Sequence, residues 1–226
     1  MLKLFTNPNK FYQDHFYKTN GMMIAVVWGI VFLLSILGAA AVSVAFQQEG
    51  WVLELVFSLI GAVINVAIMA AVFAFSVKYI AAPDKKEFKL VHGLKLFFTG
   101  HLVANILPVL MMVITVPLAF ITARSAFLNT DFTQLGVQDY DQVMSLAGQG
   151  VAFGLVGILT TCVTLAGGIW GFIVEFIGAK KLTGASDAKS FIAVFLPYIV
   201  SLIVGVMVSV VMGIIAAVII GSTSVG

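Results

Sequence analysis

The sequence predicts an all-α polytopic membrane bundle of five spans, with a cytoplasmic N-terminus and an external C-terminus. Three observations carry this. Of 226 residues, 61% are hydrophobic and only 10% charged, with a mean hydropathy of +1.12, beyond what a soluble domain of this length needs. Five apolar stretches, roughly 21–46, 51–80, 101–122, 150–178 and 191–221, each reach the 20 or so residues that cross a hydrocarbon core. Eleven of the twelve Lys and Arg fall in three segments: to Lys18, from 78 to 99 and from 180 to 189. Arg124 stands alone on the other side. Basic loops stay cytoplasmic, and five spans require that parity. Ten-residue alternation of a β-barrel is absent, so the backbone must satisfy itself in helices.

Residues 1–20 form an interfacial N-terminal segment. Asn7-Pro8 is a helix start. Phe11, Tyr12, His15, Phe16 and Thr19 recur at helical spacings, which suits a short helix in the headgroup layer with Lys10 and Lys18 toward phosphates; an irregular tail is the alternative. The apolar run that follows is longer than the core of a cleaved signal. The first span ends in the turn Gln47-Gln48-Glu49-Gly50, and Trp51 follows as an interfacial aromatic. The second span carries Glu54 and Asn65. Residues 81–99 read as the most basic loop, an amphipathic turn or two on the membrane surface. The third span holds Pro108 and Pro117, which predicts a kink or a break. Residues 123–149, with Asp131, Asp139 and Asp141, are the largest polar loop. The fourth span runs to Glu175 and a short basic loop. The fifth leads to residues 222–226, an uncharged tail.

On the fifth span, Ser201, Gly205, Ser209, Gly213, Ala217 and Gly221 recur every four residues. This is a ridge on which another helix can approach closely. The fourth span, with its Gly150/Gly154 and Gly167/Gly171 pairs, is the expected partner; homodimerisation is the alternative.

Chemistry could reside only in the polar groups within the spans. Glu175, five residues before Lys180, is expected to reach the interface or pair with Lys180 or Lys78, with a buried functional carboxylate as the alternative. His101 and Asn105 are expected to bond backbone freed by Pro108, with a proton or substrate site as the alternative. Asn65 reads as an interhelical hydrogen bond. His92 and His101 do not share a helix face for metal ligation. The single Cys162 forms no intrachain disulfide and says nothing of compartment. No catalytic triad, HExxH, P-loop or paired intramembrane Asp occurs. Neither an enzyme nor a cofactor or metal is expected, and no nucleic-acid partner. Lys85, Lys86, Lys89, Lys180 and Lys181 are the candidate contacts to anionic lipid headgroups or to a protein partner on the cytoplasmic face.

Asn7-Pro8 with Phe11, five spans and the loop GAKKLTGASDAKSFIAVFLP together resemble the Yip family of five-span membrane proteins. Trp170 stands where that family often has a Trp in the fourth span. Gly184-Ala185-Ser186, Ala188 and Pro197 match its Gly-Xaa-Ser loop, Ala-containing stretch and fifth-span proline. Eukaryotic members of this kind are implied to bind Rab-type GTPases and act in vesicle traffic, through a longer N-terminal region with an Asp-Leu-Tyr-Gly-Pro stretch. That stretch does not occur here, and a prokaryotic cytoplasmic membrane is the expected home. The resemblance implies a non-catalytic membrane-organising, trafficking or adaptor protein working through its basic loops. The alternative is a small transporter or channel-like bundle using the third span.

Overall fold

A computed structural model describes residues 2–45, 51–122 and 140–223. Among them the chain is helical throughout, with no strand: α1 (Leu2–Thr6), α2 (Pro8–Asp14), α3 (Gly21–Ala45), α4 (Trp51–Ser76), α5 (Leu90–Thr122), α6 (Tyr140–Thr183) and α7 (Asp187–Thr223). Five stretches, Gly21–Gly38, Leu55–Ala81, Leu90–Ile121, Gly154–Thr183 and Asp187–Val211, are long and apolar enough to cross a membrane.

Local chemistry sets the boundaries. Asn7 caps α2 by accepting the Lys10 N–H at 3.1 Å, with Pro8 in the first turn. Asn20 accepts the Met22 N–H at the start of α3. After Ser76 the chain widens into a π-helical turn, Val77–Ala81, closed by the Ala82 N–H donating to the Val77 carbonyl at 3.0 Å. Pro83 follows and stops the helix. At the end of α6, Gly184 takes φ +72°, and its N–H donates to the Lys180 carbonyl. This is the left-handed cap that glycine adopts without a Cβ penalty.

α5 lies at the centre, packed on α3, α4 and α6, while α7 closes the bundle against α4 and α6. Most fully buried large side chains gather at one end. Leu4, Phe11, Tyr12 and Phe16 of the N-terminal segment interlock there with Phe73, Phe88, Leu96, Phe97 and Val174. Away from that end the helices turn Ile, Leu and Val outward, as in Leu202, Ile203, Val206 and Met207 of α7. Such faces suit lipid, where apolar surface needs no cover.

Several sequence expectations are corrected. The N-terminal segment is helical as expected, and its Phe11, Tyr12 and Phe16 are in addition buried against the bundle. The Lys95 ammonium holds this segment down, donating to the carbonyls of Phe16 and, at 2.5 Å, of Thr19. The basic loop shrinks to residues 82–89. Residues 90–99 are the first turns of α5, with Leu96 and Phe97 wholly buried, since their apolar positions find a core to fill. The third span does not break, since α5 stays helical through Pro108 and Pro117. Residues 140–149 belong to α6, so the predicted polar loop is shorter. The turn at 46–50, residues 123–139 and the tail at 224–226 lie outside the described residues.

The expected ridge contact is also corrected. A Cβ on Gly205 would meet nothing within 4 Å, and Ser209 is exposed; the side-chain surroundings of Gly213 lie outside the description. α6 turns its small residues to α5 instead. A Cβ on Gly171 would stand 2.9 Å from the Gly100 carbonyl oxygen, and one on Gly167 2.6 Å from that of Ala104. The α5–α6 seam is where backbones need the glycines.

Candidate functional site: a buried carboxylate between three helices

The tight α5–α6 seam holds a buried carboxylate. Glu175, on α6, is fully buried, and its alkyl stem fills the space that a Cβ on Gly100 would take. Two partners converge on the carboxylate. His101 Nδ1 of α5 is hydrogen-bonded to Oε1 at 2.8 Å, and the Tyr198 hydroxyl of α7 donates to Oε2 at 2.9 Å. The His101 imidazole lies over Phe97, with ring centroids 3.9 Å apart, and half faces Tyr198 at 6.2 Å. One carboxylate thereby joins α5, α6 and α7.

The N-terminal segment closes this arrangement. A Cβ on Gly178, one turn beyond Glu175, would collide with Leu96 and the Tyr12 ring, so a glycine there lets α2 seat on α6. The Tyr12 hydroxyl is buried and finds no acceptor among the described residues. Burial, and secondarily the negative charge of Glu175, push this phenol well above its ordinary range. Tyr12 therefore stays protonated at physiological pH.

Glu175 thus neither snorkels nor meets a lysine, contrary to expectation. Lys180 pairs with Asp187 at 2.5 Å on the surface, and Lys78 donates to the Lys85 carbonyl at 2.9 Å. Closeness in sequence to Lys180 does not bring Glu175 to the surface, because the folded N-terminal segment packs against α6 at this level. Asn105 does bond backbone, donating to the His101 carbonyl at 2.7 Å, but the carbonyl that Pro108 deprives of its helical donor is that of Ala104. Asn65 accepts from the Ser201 hydroxyl at 3.0 Å, tying α4 to α7.

The candidate lysines divide. Lys85 is engaged, donating to the Leu182 carbonyl at 2.7 Å, so it joins the two basic loops and is not free for a headgroup. Lys86, Lys89, Lys180 and Lys181 are exposed. The sequence singles out neither Tyr198 nor Gly100, and Tyr12 only as part of the helical pattern of the N-terminal segment. The signals available were the Gly167/Gly171 pair and the position of Tyr198 beside Pro197.

Chemically the cluster is a buried carboxylate with two hydrogen-bond partners in an aromatic-walled setting. An isolated charge there would be prohibitive, and the paired arrangement is tolerable only with its hydrogen bonds intact. Among the described residues no group of three or more His, Cys, Asp or Glu could hold a metal ion. Comparison of the chain with family models, curated proteins and solved structures finds no match.

Proposed function

We propose that this is a non-catalytic, Yip-like membrane-organising protein, oriented with its N-terminus in the cytoplasm, that works through a rigid basic platform at that end. The observation that carries the reading is the folding of three basic segments into one body. Lys95 binds the N-terminal segment to α5, Lys85 binds the 82–89 loop to the end of α6, and the Glu175 cluster fastens the helices beneath. Lys10, Lys18, Lys86, Lys89, Lys181 and Lys189 remain exposed around it. Anionic headgroups of an apposed or surrounding membrane match that charge, at about 1 kcal/mol per lysine near the surface. A bacterial-type cytoplasmic membrane supplies such lipids.

The test uses the whole protein in neutral phosphatidylcholine nanodiscs, offered vesicles containing phosphatidylglycerol. Docking is expected, weakening with salt, and falling by about 100-fold when Lys86, Lys89 and Lys181 become Gln. Equal docking of wild type and variant would overturn the platform.

A proton-coupled transporter is the second reading, favoured by one observation: Glu175 and His101 are an ionisable pair within spanning segments. Dissipation of an imposed pH gradient in proteoliposomes, abolished by Glu175→Gln, would support it over the platform.

A further inference from the structure

A slot opens on the lipid-facing side of the bundle, away from the Glu175 cluster. It has a volume of about 400 Å3 and lies between α3, α4 and α5. Trp28 and Phe32 form one wall, Leu59 and Ala70 mark the ends of another, and Phe98 lies at the back. Trp28 stacks on Phe32 and leans on Phe98, both at 5.1 Å between centroids, so the aromatic wall is braced. The slot persists because α3 leans on α5 far more than on its chain neighbour α4. Every lining residue falls within a stretch apolar enough to lie in the membrane.

We propose that this slot binds one acyl chain of a membrane phospholipid, as a resident ligand and not as passing solvent. Its dimensions decide the occupant. Leu59 to Ala70 covers about 16 Å of α4 at 1.5 Å per residue. Spread over that length, the volume leaves a section of roughly 25 Å2 for atom centres, and an atomic radius of about 1.4 Å on either side makes the slot about 8 Å across. A helix with its side chains measures about 10 Å across, so a second copy of the chain does not enter. An extended alkyl chain, with carbon contacts at about 4 Å, does. The lining side chains carry no charged or amide group, and their one polar atom, the buried Trp28 indole N–H without a partner among the described residues, is too little to hold a charged headgroup. The volume lies within the range of about 300–1,000 Å3 typical of ligand sites. Gly29 supplies the entrance: it lines the slot, and a Cβ there would meet nothing within 4 Å.

The same glycine provides the test. Purified protein is re-lipidated with palmitoyl-oleoyl phosphatidylcholine, then delipidated stepwise, and the lipids retained are counted by native mass spectrometry. The wild type is expected to hold one lipid per chain. Gly29→Phe, which fills open space, should retain at least tenfold less. Gly168→Phe should behave as wild type, since Gly168 also faces open space but lies on α6, outside the slot. An independent reading uses the Trp51→Phe/Trp170→Phe background, in which Trp28 is the sole indole. Phosphatidylcholine brominated along its chains should quench its fluorescence, and Gly29→Phe should relieve that quenching. The proposal is overturned if the wild type retains no lipid, if Gly29→Phe retains as much as wild type, or if retention tracks the headgroup and not the chain. A wild-type dimer that Gly29→Phe turns into a folded monomer would also overturn it, by putting a second copy in the slot.

Discussion

At the scale of single residues, two tyrosine hydroxyls stand in opposite circumstances around one carboxylate. Tyr198 gives Glu175 one of its two hydrogen bonds, whereas Tyr12 buries a hydroxyl that bonds nothing described. Removing a donor from a buried acceptor costs about 1–3 kcal/mol, while removing a group that was itself unsatisfied relieves a cost of that order. Tyr198→Phe should therefore lower the melting temperature in detergent, and Tyr12→Phe should leave it unchanged or raise it. A fall of equal size in both would show that the bond to Glu175 contributes nothing of its own. Little of this was legible in the sequence. Glu175 was visible as an acid within an apolar run, and His101 as a polar group in another span expected to bond backbone near Pro108. Their pairing depends on the register of α6 against α5, set by Gly100, Gly167 and Gly171, and a single chain does not reveal which helices those glycines face. Asn65 was readable because one amide deep in an apolar helix has few partners other than a polar group on a neighbour.

At the scale of elements, composition located five spans well, since twenty apolar residues have no other stable setting than lipid or a large core. It located their ends less well. Residues 90–99 carry Lys95 and His92, and charge made them resemble a loop. In the fold the Lys95 stem runs beside Gly21 and its ammonium reaches backbone carbonyls, so a lysine is accommodated inside a helix end. Small residues likewise showed that close helix contacts exist, but not where. The seam is α5–α6, and the ridge on α7 is open at Gly205. A Cβ on Gly171 would lie 2.7 Å from the Ala104 Cβ and 2.9 Å from the Gly100 carbonyl oxygen, both on backbone-fixed atoms. Gly171→Ala should destabilise by about 1–3 kcal/mol through overpacking. Gly205→Leu should change the melting temperature little. Reversal of that order would return the close contact to α7.

At the scale of the whole molecule, the asymmetry is the main physical fact. The packed aromatic core, the folded N-terminal segment and nearly all the positive charge share one end, while the helices reaching away from it present aliphatic surface. Eleven cations on a side cannot be translocated cheaply, and by the positive-inside rule the proposed orientation puts that end in the cytoplasm. Lys95 and Lys85 are bonded to backbone carbonyls at this end. Cysteine substitutions read the outcome directly, after Cys162 is replaced by Ser. A membrane-impermeant maleimide should label Ser145→Cys in intact cells, and Ser186→Cys only after permeabilisation. Labelling of Ser186→Cys in intact cells would place the basic platform outside, where no anionic cytoplasmic leaflet faces it, and would remove the ground for its proposed role along with the topology.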